Sequence, residues 1–97
     1  RSAMQFISIS KRTAGFVDAD YLPLVEDEVE RARELYKEGH IRQIWHRADI
    51  HGACLLWEAD TEEDVRKMLD SLPFARAGML EISIISLKPY AGFCSNK

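Results

Sequence analysis

Glu28 has the residue type and the spacing for acid/base chemistry. It lies three residues after Val25 and four before Ala32, beside an apolar series of Leu22, Val25, Val29, Ala32, Leu35 and Tyr36 that recurs at helical spacing. A carboxylate drawn toward an apolar interior is desolvated, which disfavours its charged form and makes it a proton carrier near neutral pH. The same spacing also allows Glu28 to sit on the edge of the stripe, reaching water or Arg31. His51 is a second acid/base candidate, because histidine exchanges protons near neutral pH; a solvated loop position fits it equally well. Arg42 can grip a substrate carboxylate through two parallel N–H bonds, or pair across a hairpin with Glu58. Trp45 and Trp57 can wall a ligand pocket or fill a core or an interface.

No Gly-rich phosphate loop, G-x-S-x-G, H-E-x-x-H or paired CxxC occurs. His40, His46 and His51 lack metal-ligand spacing. The expectation is therefore cofactor-free and metal-free acid/base chemistry on a small molecule.

Four strands and two helices position these groups. Residues 4–10, MQFISIS, alternate Phe6, Ser8 and Ser10 against Ile7 and Ile9, the period of a strand. Residues 11–21 show no period and read as a loop long enough to carry function. Pro23 fits the first turn of the helix that carries Glu28, and Gly39 its C-terminal cap. Residues 41–47 and 53–58 flank a loop of residues 48–52 and read as a hairpin. Pairing Arg47 with Ala53 sets Trp45 against Leu55 and Gln43 against Trp57 on one face, and Arg42 opposite Glu58. Thr61-Glu62-Glu63-Asp64 opens a second helix with the stripe Val65, Met68, Leu69 and Leu72, and Pro73 ends it. Residues 80–87, LEISIISL, form the last strand.

The order strand, helix, strand, strand, helix, strand predicts an α+β, ferredoxin-like βαββαβ domain over residues 4–90, with both helices on one face of a four-stranded antiparallel sheet. Residues 1–3 precede Met4 and read as an expression-tag remnant, and residues 91–97 as a C-terminal tail. The uncovered sheet face is expected to carry Phe6, Ser8, Gln43, Trp45, Leu55, Trp57, Glu81, Ser83 and Ile85. A face so rich in aromatic groups calls for a partner sheet, and a homodimer is the simplest one. Its polar members Ser8, Gln43 and Glu81, with Arg42 and the two tryptophans, form the expected substrate-binding set around Glu28 and His51.

With 97 residues, 46% apolar and 30% charged, the chain has the composition of one ordinary folded domain. Sixteen acidic against thirteen basic residues give a net charge of -3, which disfavours nucleic acid as a partner. No apolar run approaches the roughly 18 residues of a membrane span. Two cysteines, Cys54 and Cys94, make neither a disulfide framework nor a zinc site, so a reducing, cytoplasmic location is expected.

From Glu28 to Glu81 the chain resembles the muconolactone isomerase family of the dimeric α/β-barrel superfamily. The resemblance rests on Glu28, Glu34-Leu35, Gly39, Arg42, Ile44-Trp45, Ala48, Glu58 and Ser71-Leu72-Pro73, with Met4 and Phe6 in the opening strand. It implies a cofactor-free isomerase of aromatic catabolism, built on sheet-to-sheet homodimers that can assemble into a higher homo-oligomer, that shifts a C=C bond in an unsaturated lactone by removing and returning a proton. It implies Glu28 as proton carrier, Arg42 as carboxylate or structural support and Trp45 as pocket wall. The chain departs from the family pattern at His46, at His51-Gly52-Ala53 and after Pro73. Those departures leave two alternatives: a cofactor-independent monooxygenase or dehalogenating lyase on the same scaffold, or a non-catalytic dimeric ligand-binding protein.

Overall fold

The computed structural model describes residues 4–93; residues 1–3 and 94–97, Cys94 and most of the expected C-terminal tail among them, lie outside the described residues. Strands β1 (Met4–Arg12), β2 (Ile41–His46), β3 (Ala53–Ala59) and β4 (Leu80–Leu87) form one antiparallel sheet in the order β2-β3-β1-β4. Helices α1 (Asp18–Tyr21), α2 (Val25–Lys37), α3 (Glu62–Asp70) and α4 (Pro73–Arg76) complete an α+β, ferredoxin-like domain. Among the described residues, no helix is long and apolar enough to cross a membrane.

Local chemistry accounts for the element ends. Gly39, at φ +88°, closes α2: its N–H donates to Tyr36 O and the N–H of His40 to Leu35 O, satisfying carbonyls the helix leaves open. The Thr61 hydroxyl accepts from the Asp64 N–H at 3.1 Å and starts α3. Pro73 both follows α3 and opens α4, at the first-turn position where its missing N–H costs nothing. Residues 11–21 are not wholly a loop. β1 runs on to Arg12, and α1 forms where the Val17 N–H meets the Asp20 carboxylate at 2.8 Å.

The register of the hairpin differs from the sequence expectation by one residue. His46, not Arg47, pairs with Ala53, so Trp45 stands opposite Cys54, Ile44 opposite Leu55 and Gln43 opposite Leu56. Arg47 instead turns its side chain onto Asp49, and its N–H meets Gly52 O at 3.0 Å. A bulge between Ile41 and Gln43 then lets Ile41 and Ile44 face the helices together.

This slip moves Leu55 and Trp57 from the uncovered face to the helix-covered one. β1 follows, because Phe6 pairs with Trp57 and Ser8 with Leu55. Phe6, Ser8, Leu55 and Trp57 are therefore buried under the helices with Leu35, Ile41, Val65, Leu69 and Leu72, where two large aromatic rings displace more water than Ile7 and Ile9 would. The uncovered face carries Ile7, Ile9, Cys54, Leu56 and Trp45, with Glu81, Ser83 and Ile85 placed there as the β4 alternation predicts.

Candidate active site

α2 packs on the sheet only through its C-terminal half. Leu35 is buried, whereas Val25 and Val29 on the same stripe remain 41% and 42% exposed. Beneath the unpacked half lies a cavity of about 660 Å³, within the range of small-molecule sites. α2 lines it with Glu28, Val29, Ala32, Arg33 and Tyr36, and the sheet with Ser8, Ser10, Ile44, His46, Leu55 and Ile82. His51 and Gly52 border one end from the hairpin loop, and Tyr21 and Phe74 also line it.

Glu28 is half-buried, and its Oε1 accepts the N–H of Phe74 at 2.9 Å. Burial pushes the carboxyl above its ordinary value, and the Phe74 bond only partly opposes this. Arg31, the alternative partner, is engaged elsewhere: it donates to Ser71 Oγ at 2.9 Å and to Glu34 at 2.8 Å. A desolvated carboxyl aimed into an apolar-walled cavity can take up and release a proton.

The end with His51 is held by a dense set of contacts. Arg47 grips Asp49 with two bonds, of 3.0 and 2.7 Å, and holds that carboxyl down at about 2. The Arg12 N–H donates to His51 O at 3.3 Å, and Ser10 Oγ accepts from Ala53 N at 3.1 Å. Gly52 is required here, since a Cβ would stand 2.0 Å from Ser10 O. Arg12 pairs with Asp18, lowering that carboxyl, and its guanidinium lies 4.1 Å from the centroid of the Tyr21 ring. Tyr21 donates to Met79 O at 2.8 Å and meets Phe74 edge-on at 5.3 Å, so α1 and α4 brace the same wall.

Of the residues singled out in the sequence, Ser8, Glu28, Gln43 and His51 border this cavity. Trp57 lies fully buried behind it, its Nε1 donating to Ser8 Oγ at 2.9 Å. Arg42, Trp45 and Glu81 are placed elsewhere. Arg42 Nε is 4.0 Å from Glu58, Glu81 is 3.7 Å from Lys11, and Trp45 is 47% exposed on the uncovered face. The cavity thus lies between helix and sheet, not against the uncovered face where the sequence parities set it.

Arg33 escaped the sequence reading. It lines the cavity and, among the described residues, forms no ion pair, unlike Arg12. Its signal was available: it lies four residues after Val29, on the same helical row. Among the described residues, no group of three or more His, Cys, Asp or Glu side chains is placed to hold a metal.

A model of the muconolactone delta-isomerase family matches residues 11–92. Among solved structures, the chain is similar to muconolactone isomerase at 3.3 Å resolution, with a TM-score of 0.76 and 21% identity over 97% of this chain and 98% of that one. It is also similar to 5-chloro-2-hydroxyhydroquinone dehydrochlorinase (TftG) from Burkholderia phenoliruptrix AC1100, in complex with 2,5-dihydroxybenzoquinone. There the TM-score is 0.74, with 17% identity over 92% of this chain and 98% of that one. Among curated proteins, no sequence matches.

Proposed function

The chain belongs to the muconolactone delta-isomerase family, and from that premise we propose that it is a cofactor-free isomerase that shifts a C=C bond in an unsaturated lactone acid by proton transfer. The observation that carries this is Glu28: a half-buried carboxyl, raised by burial, in a cavity of small-molecule size, with one oxygen fixed by the Phe74 N–H. Oε2 takes the proton from the substrate carbon, and the protonated acid returns it to another carbon of the same conjugated system. His51, at the cavity end, is the second proton carrier. Arg33 anchors the substrate carboxylate, a role expected of Arg42, which lies beside Glu58. Ser8 is a polar contact of the wall, supported from behind by Trp57, and Gln43 borders the cavity from its strand position opposite Leu56.

The working unit is a homodimer. Ile7, Ile9 and Leu56 are half-buried and Trp45 and Ile85 are each 47% exposed on the uncovered sheet face, an apolar surface suited to the same face of a second copy.

The likeness to a dehydrochlorinase supports a second reading, a lyase that expels halide from a chlorinated ring after the same proton abstraction. Deuterium uptake from solvent into muconolactone, followed by NMR for the wild type and Glu28→Gln, tests the first. Exchange that the substitution abolishes supports the isomerase. Chloride release from a chlorinated hydroxyhydroquinone without lactone exchange supports the lyase. Binding with neither reaction identifies a non-catalytic ligand-binding protein.

A further inference from the structure

Ser8 stands in the middle of β1 on the helix-covered face, with Leu55 and Ile84 opposite it on the neighbouring strands. It is 1% exposed and lines the cavity. The hydrogen bond to its Oγ comes from Trp57 Nε1. An indole N–H only donates, so that bond occupies a lone pair of the hydroxyl and leaves its proton without an acceptor. Among the described residues no hydrogen bond donated by Ser8 Oγ is present. Ser10, two residues along, differs: it both accepts from Ala53 N at 3.1 Å and donates to Ala53 O at 3.3 Å. A buried hydroxyl proton left unpaired among aliphatic groups is a standing cost that a ligand acceptor would relieve.

We propose that Ser8, held in place by Trp57, donates its hydroxyl proton in a hydrogen bond to the carbonyl oxygen of the bound substrate, an α,β-unsaturated lactone. The part in turnover rests on the proton-transfer mechanism above; the binding contact rests on the cavity alone. As Glu28 removes the γ-proton, the C–H electron pair is delocalised through the double bond onto the carbonyl oxygen. Reprotonation at the α-carbon restores the carbonyl with the double bond moved, and nothing is oxidised or reduced. The Ser8 O–H faces the oxygen on which negative charge grows, where a fixed donor acts most strongly. Trp57 is a positioning residue: by occupying one side of Oγ it turns the proton toward the cavity.

The bland alternative is that Ser8 exists only to satisfy the buried Trp57 N–H, and a mutant cycle separates the two. Wild type, Ser8→Ala, Trp57→Phe and the double variant are each titrated with muconolactone, unsubstituted butenolide and 2,5-dihydrofuran, the last being the same ring without the carbonyl. Binding is read by ligand-observed NMR and folding by thermal melting. Ser8→Ala is expected to weaken both carbonyl ligands about three- to tenfold and leave dihydrofuran unchanged, the loss of one hydrogen bond. Trp57→Phe keeps the hydroxyl but releases its orientation and is expected to weaken both carbonyl ligands about two- to threefold with dihydrofuran unchanged, while the double variant remains as weak as Ser8→Ala. Equal losses for dihydrofuran and butenolide, a double variant that regains wild-type affinity, or a wild type that binds neither carbonyl ligand overturns the proposal. Carbonyl-selective weakening in a protein that exchanges no deuterium leaves Ser8 as donor and refutes the proton transfer alone.

Discussion

Gly52→Ala puts the link between fold and site under direct strain. The new methyl carbon would lie 2.0 Å from Ser10 O and 2.9 Å from Ser10 C, against backbone that cannot rotate aside. Relief requires the hairpin loop to move away from β1 by more than an ångström, a separation that breaks the Ala53 N to Ser10 Oγ bond of 3.1 Å and the Arg12 N to His51 O bond of 3.3 Å. Two hydrogen bonds at about 1 kcal/mol each, with overpacking strain of about 1–2 kcal/mol, give a loss of about 3–4 kcal/mol. For a domain of this size that is a fall in Tm of roughly 12–32 °C. Thermal melting by circular dichroism reads it, with urea titration checking that the m-value is unchanged. Because the loop carries His51, the proposed isomerisation is expected to fall in the variant even at temperatures where it remains folded. A Gly52→Ala protein that melts within about 3 °C of wild type refutes the close approach as a constraint, since one kcal/mol alone moves Tm by about 4–8 °C.

Three further outcomes follow from the same geometry. Burial raises the folded-state value of Glu28 above that of the unfolded chain, so the native protein holds this proton more tightly. That stabilisation is full below the unfolded carboxyl value and is lost as pH rises through the raised folded value. Glu28→Gln, which never ionises and keeps an oxygen for the Phe74 N–H, should therefore gain stability relative to wild type as pH rises through that window; urea melts across the acid range that show a flat or falling difference contradict this. Arg33→Gln should weaken a lactone acid about tenfold and its methyl ester hardly at all, as judged by titration calorimetry, the loss of one charge-assisted contact. Ile85→Glu sets a carboxylate in the uncovered sheet face and should shift the protein from dimer to monomer in analytical ultracentrifugation; an unchanged sedimentation coefficient rejects that face as the interface.

The sequence made the element order legible because period and punctuation agree in it. Gly39 marks the end of α2 and Thr61 the start of α3, and the β4 alternation put Ile82 and Ile84 on the correct side. Sidedness failed where both faces of a strand are apolar. β1 alternates Phe6 and two serines against two isoleucines, and average hydrophobicity favours burying the isoleucines. The outcome is decided instead by Trp57, whose ring needs the core and whose N–H needs an acceptor that Ser8 provides. The hairpin register turned on Arg47, a residue of strand-like surroundings whose bidentate hold on Asp49 draws it into the loop.

The candidate site was legible in part for the same reason. Glu28 is marked by its place beside a helical stripe, a feature local to one element. The cavity is not local: it exists because Val25 and Val29 stop short of the sheet, which no periodicity reveals. Arg33 therefore looked like solvated charge, and Arg42, two residues past the helix cap, looked better placed than it is.

Solvent deuterium exchange into muconolactone, compared between wild type and Glu28→Gln with both proteins shown to bind the ligand, bears most directly on Glu28 as the proton carrier of this cavity. Exchange at the γ- and α-carbons in the wild type, reduced at least about a hundredfold in Glu28→Gln at unchanged affinity, is the predicted result. Exchange that persists in Glu28→Gln, or a wild type that binds the lactone and exchanges none of its hydrogens, contradicts it.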